Sequence, residues 1–366
     1  MSAQKQAMNP EPVRFVVIAS VIAAIAALVP IPAWIVDDFY SRDMYMWLQK
    51  IMTGATNILP FALLDLILVV TALAVLRRMY RLYHVARQRG LIDALWEALR
   101  RVVRAAAILV ILFLWAWGFN YRRLPLENAI SGGIIVQPAP DALRQAYLDS
   151  AGLAARLRPL SQPEGRLHSI VIILKDPMNA ALLSLSRAPI VTFSDPKHSL
   201  LLSPYFTAAG VTGMLNPLGL ETILLPDLLP YERPFVLAHE WAHLSGHADE
   251  AEASALGWYA CMKGDPTLAY SASLYLMMET AAAMPAEIRK DVSSRVDPAV
   301  RSDLEAIAVR MSKQSPDVQR TASRVYDEYL RANRVADGTA SYSRALQLIL
   351  SPKLREALSG YTLSSR

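Results

Sequence analysis

The feature that most constrains this 366-residue chain is a pair of histidines four residues apart with a glutamate after the first: His239-Glu240-Trp241-Ala242-His243. Residues four apart stack on one face of an α-helix, so both imidazoles can reach one ion only if this stretch is helical. Its punctuation agrees: Pro234 suits a first helical turn, and Gly246 suits the close. Two neutral imidazoles suit zinc, and Glu240 stands beside them where a general base for an attacking water is required. The sequence therefore predicts one Zn2+ per chain, with His239 and His243 as metal ligands and Glu240 as the catalytic base.

A zinc site of this kind needs a third protein ligand. His247, Asp249, Glu250 and Glu252 all follow closely. On a continuous helix His247 would lie about 12 Å from His239 along the axis, too far to share an ion. With the helix closed at Gly246, Asp249 and Glu250 read as the acidic first turn of a second helix over residues 249–262. Glu252 is then expected to point back to the first helix. Glu252 ranks first as third ligand and Asp249 second.

Composition adds a membrane. Hydrophobic residues make up 54% of the chain, high for a soluble enzyme of this length. The excess sits in runs 15–36, 58–76 and 102–119, each long enough to be read as a transmembrane helix. Asp65 falls inside the second run and is assigned a role in helix packing; Arg104, at the start of the third, can snorkel. The stretch from Arg77 to Arg104, between the second run and the start of the third, carries eight arginines against Asp93 and Glu97. The positive-inside rule then predicts a multi-pass protein of the cytoplasmic membrane, its N-terminus inside and everything after residue 119 outside. Residues 91–103 could lie along the inner leaflet as an amphipathic helix.

Charge supports the same division. Residues 1–119 hold 12 basic and 7 acidic side chains, while the remainder balances at 25 of each. The net +5 thus belongs to the membrane part, and nothing points to nucleic acid. The lone Cys261 excludes an internal disulfide, so residues 120–366 must hold together by their core.

Within that part, apolar runs at 168–174, 189–193, 199–202 and 221–225 are expected as strands of a small sheet. Nearly everything after Asp249 is expected to be helical, broken at Gly264, Pro285, Pro298, Pro316 and Gly338. The expected fold class is an α+β zincin-like ectodomain, a small sheet followed by a mostly helical half, after three N-terminal transmembrane helices. Residues 213–225 are the expected edge strand for an extended substrate, with Glu221 either orienting it or solvated. Tyr342 is the candidate catalytic tyrosine for oxyanion stabilisation, with Tyr270 and Tyr275 behind it. His168 and His198 read as ordinary polar residues.

The segments GFNYRRLPL, TGMLNPLGLETILLP, AHEWAHLSGHADEAEASALGWYAC and VYDEYLRANRVADGTASYSRALQLIL together resemble the domain-of-unknown-function 3810 family, across nearly the whole chain. The resemblance implies a membrane-anchored, gluzincin-like protein with His239 and His243 as ligands, Glu240 as base and Glu252 as third ligand. Asp249 stands where that family's pattern has arginine, which weakens it as a ligand. Three functions follow as expectations. The first is a zinc metallopeptidase cutting polypeptide in the periplasm or at the bilayer surface. The second is a non-catalytic envelope protein whose metal is structural and which binds a partner; the third is a metal hydrolase for a non-peptide bond. An intramembrane protease is excluded, because Glu232, Arg233 and residues 245–250 break the apolar run around His239.

Overall fold

The computed structural model describes residues 13–131, 136–161, 167–335 and 342–361. The chain divides into two compact units, Met1–Ile31 with Leu66–Gly118, and Pro32–Asp65 with Phe119–Arg366.

In the first unit, helix Val13–Leu28 packs on Leu91–Ala116, and most of Leu63–Arg89 completes it. Gly90 joins the latter two at φ +95°, a conformation that favours glycine. Phe15, Ile25, Leu73, Leu95 and Leu109 are exposed on this unit. The three expected transmembrane helices are not found: no single helix among the described residues is long and apolar enough to cross a membrane. Val13–Leu28 has 16 residues, short of the roughly 20 that a hydrocarbon core needs. Run 58–76 is broken, because one helix ends at Asn57 and the next begins at Leu63, where Asp65 falls in the first turn and not at mid-span. Its apolar stretch then meets Arg77 and Arg78, and Leu91–Ala116 carries Arg100, Arg101 and Arg104 ahead of its apolar end. By length and composition, one bent pair, Val13–Leu28 followed by Ala33–Asn57, qualifies together as a broken span or re-entrant loop.

The second unit is built around helix Glu250–Met262, every residue of which is buried. Helices Arg233–Leu244, Leu167–Ser184, Pro266–Ala283 and Tyr342–Ile349 pack against it. A helix apolar on every face belongs in the middle of a bundle, and EAEASALGWYACM reads that way once its acids have partners. Cys261 is a buried free thiol on it.

The expected small sheet shrinks to one antiparallel hairpin. Strand β1, Gly213–Asn216, pairs with β2, Glu221–Leu224, in the register Gly213↔Leu224 to Asn216↔Glu221. Residues 168–174 lie inside helix Leu167–Ser184, and 189–193 and 199–202 form no strand. Short apolar runs fit a buried helix as well as a strand, and here packing against the central helix decides. The α+β expectation is therefore corrected to a mostly helical fold with a single hairpin. Lys197 adds a parallel bridge at Ile223, giving and taking backbone bonds of 2.9 and 2.8 Å with Thr222 and Leu224.

Glu221 neither meets solvent nor orients a substrate. It is fully buried, and its carboxylate accepts from the Leu63 and Leu64 amides at 2.9 and 2.8 Å, the first turn of helix Leu63–Arg89. Unpaired first-turn amides favour a carboxylate there, so β2 caps that helix. Asp65, in the same turn, accepts from the Ser199 hydroxyl and from the Leu200 amide at 2.7 Å, fastening the loop that follows the Lys197 bridge.

Candidate metal centre

Helix Arg233–Leu244 is fixed at both ends. Glu232, before its first residue, receives two bonds from Arg310 at 2.7 and 2.6 Å in a buried fork. Gly246, at φ +84°, closes the far end, and the His247 amide returns to the Ala242 carbonyl at 3.1 Å. Trp241, fully buried, donates to the Ser194 carbonyl at 3.0 Å and sets the rotation of the helix. His239 and His243 thereby turn to one side, their ring centroids 4.8 Å apart.

The residue that meets them is Glu250. Its Oε2 lies 3.2 Å from His239 Nε2 and 3.5 Å from His243 Nε2. The three ligand atoms lie within 4.8 Å of one another, and this group can hold a metal ion. Both rings are also held from behind. His243 Nδ1 bonds the His247 carbonyl at 2.7 Å, and His239 Nδ1 contacts the Ser254 hydroxyl at 3.2 Å. Engaging Nδ1 fixes ring orientation and leaves Nε2 for an ion, as the outer partners of metal-bound histidines do. Burial pushes the Glu250 carboxyl up, but the two imidazoles outweigh it and hold it well below its ordinary value. Burial lowers His243, yet the Glu250 charge lifts it overall to about 9.

Glu252 and Asp249 have other work. Glu252 is turned to the opposite side, where its Oε1 accepts from the Leu126 amide at 2.7 Å. Asp249 is the N-cap, accepting from the Ala251 and Glu252 amides at 2.9 and 3.2 Å, and pairs with Arg344. His247 is buried beyond the turn, its Nδ1 2.9 Å from the Ser245 hydroxyl. The cap at Asp249 makes Glu250 the first helical residue, and this starting point aims Glu250 at the histidines.

Glu240 sits between the metal group and the hairpin. It is 4% exposed, its Oε2 has no hydrogen-bond partner among the described residues, and the Leu215 amide of β1 bonds its carboxylate. Burial pushes its carboxyl up, against the pull of both histidines. A Cβ on Gly213 would stand 2.6 Å from Glu240 Oε1, so glycine is what lets the strand lie this close. An orphaned buried carboxylate oxygen beside three convergent donors fits an ion and a water between them.

The candidate tyrosines separate. Tyr270 is buried against Asp303, which pairs with Arg158 at 2.9 Å, and does structural work elsewhere. Tyr275 stacks on Phe235, centroids 3.7 Å apart, and hydrogen-bonds Ser254, the partner of His239 Nδ1. Tyr342 opens helix Tyr342–Ile349, and its side chain lies outside the described residues. Tyr326, which sequence reasoning passed over, donates its hydroxyl to Glu250 Oε1.

Behind the turn lies a buried charge cluster, also unforeseen. Asp37, fully buried, accepts from Arg123 at 3.1 Å, Arg187 at 3.2 Å and Arg42 at 3.0 Å. Arg123 continues to the carbonyls of Ser245 and Gly246 at 3.3 and 3.0 Å, bracing the end of the histidine helix.

Fold and site together define a mostly helical protein in which the two histidines of an HExxH helix meet Glu250, from the first turn of the next helix, in a group that can hold a metal ion. The chain belongs to the family described as protein of unknown function (DUF3810), whose model matches residues 40–350. Neither the curated proteins nor the solved structures contain a match.

Proposed function

We propose that this protein is a zinc-dependent metallopeptidase held at a membrane by its apolar N-terminal helices. The observation that carries the reading is the convergence of His239 Nε2, His243 Nε2 and Glu250 Oε2 beside the unpartnered Glu240 Oε2. Imidazole and carboxylate donors in this number suit zinc, with a position left for substrate. When bound, zinc supplies Lewis acidity, polarising a carbonyl and lowering the pKa of water at its open position to about 7.

The chain's own residues supply the rest. Glu240 takes the proton of the attacking water and passes it to the leaving amine; its upward shift suits a base that must also act as an acid. Ser254 and the His247 carbonyl keep both imidazoles aimed. The edge of β1 away from β2 faces Glu240, since the Leu215 amide points there, and an extended peptide could align along it. Polypeptide is therefore the substrate class, and the exposed apolar side chains of the first unit are what a bilayer would cover.

The test is Glu240→Gln in the full-length chain, purified in detergent and loaded with zinc, on an unfolded polypeptide such as reduced casein. The variant should retain its zinc and lose hydrolysis by at least about 100-fold. Undiminished hydrolysis in the zinc-loaded variant would sink the catalytic reading.

A further inference from the structure

Glu250 uses its two carboxylate oxygens differently. Oε2 faces both imidazoles, while Oε1 accepts the hydroxyl of Tyr326. Tyr326 lies on helix Pro316–Ala332, in which only Leu330 is buried. Its ring stacks on Tyr329 one turn later, centroids 5.7 Å apart and planes 20° apart. The Tyr329 hydroxyl in turn lies 3.3 Å from that of Tyr121. The helix also packs on helix Ser203–Ala209, and the Tyr326 phenol bonds it to the metal group.

We propose that Tyr326 is a positioning residue for the metal: its hydroxyl occupies Glu250 Oε1, so that the carboxylate presents Oε2 alone and one coordination position stays open. This rests on the metal reading of His239, His243 and Glu250. A carboxylate free on both oxygens can chelate an ion bidentately, filling the position that a catalytic site keeps for water or substrate. A donor committed to one oxygen prevents that and fixes the plane of the group, as outer-shell partners of ligating carboxylates do. Stacking on Tyr329 holds the phenol in place, so the bond does not depend on a freely rotating side chain.

Tyr326→Phe keeps the ring and its stacking and removes the hydroxyl alone. The full-length chain and this variant are titrated with zinc against a competing chelator, and Co2+ is then substituted to read its visible absorption. The expected result is a 10- to 100-fold weaker zinc Kd. The cobalt band should also lose intensity, as a four-coordinate ion gains a fifth ligand. Tyr329→Phe, which leaves the Glu250 contact in place, should show neither change. An unchanged Kd and an unchanged cobalt spectrum in Tyr326→Phe, with its thermal unfolding also unchanged, would overturn the proposal. A parent chain that binds neither ion would instead overturn the metal reading, and this proposal with it.

Discussion

Gly257 lies against the backbone of His239: a Cβ at position 257 would stand 2.8 Å from the His239 nitrogen and 3.1 Å from its Cα. The two site helices cross at this point, and only a residue without a side chain lets them come close enough for Glu250 to meet both imidazoles.

Gly257→Ala is therefore expected to force the helices apart. The atoms in the way are backbone and cannot swing aside, so the cost is that of overpacking, about 1–3 kcal/mol, although alanine is the better helix former. Chemical denaturation should show that loss, with weaker metal binding beside it. A variant as stable as the parent would mean that the crossing is looser than described.

The crossing also shows which acid the sequence should have offered. Glu250, Ser254, Gly257 and Cys261 are spaced four, three and four apart, one stripe of the helix. Each meets the histidine helix: Glu250 and Ser254 at the imidazoles, Gly257 at the His239 backbone, and Cys261 at the Pro234 carbonyl, 3.8 Å away. The small residues mark the face of closest approach, and Glu250 is on it while Glu252 is not. Reading Asp249 and Glu250 only as dipole-favoured acids hid this; reading Asp249 as the N-cap would have exposed it. The histidine pair, Glu240 and the closing Gly246 were legible because they depend on spacing within one helix. Tyr326, Asp37 and Arg123 were not, because their partners lie 76, 86 and 122 residues away in sequence. The second apolar run misleads for a related reason: its length and hydropathy extend across Leu59 to Ala62, where the helix stops.

Glu252 gives a dependence on pH. Burial, with the charge of Asp249 added, raises its carboxyl from 4.5 to about 7. The folded chain thus holds this proton more tightly than the unfolded chain, so the stability it contributes is fully present below pH 4.5. That contribution is lost as pH rises through about 7. Glutamine retains an acceptor for the Leu126 amide and has no charge to desolvate. Glu252→Gln should match the parent near pH 4.5 and exceed it at pH 8, by up to about 3 kcal/mol. Thermal unfolding of both chains at the two pH values checks the sign; a difference that does not grow with pH would contradict it.

Asp37 carries a larger share. Replacing it with alanine leaves Arg123 and Arg187, both nearly fully buried, without their common anion. Breaking a buried pair in this way costs about 3–5 kcal/mol. Because Arg123 also holds the Ser245 and Gly246 carbonyls, Asp37→Ala should weaken metal binding as well as stability. Denaturant unfolding with and without added zinc separates the two effects. A loss well under 1 kcal/mol would show that the cluster is solvated.

Completion of the metal group by Glu250, and not by Glu252, is what the proposed function stands on. It is tested most directly by metal content per chain, measured by mass spectrometry of the elements on the full-length protein beside His239→Ala, Glu250→Ala and Glu252→Ala. One zinc is expected in the parent and in Glu252→Ala, and none in His239→Ala or Glu250→Ala. Zinc kept by Glu250→Ala and lost from Glu252→Ala would contradict it and return the third ligand to the far side of the helix.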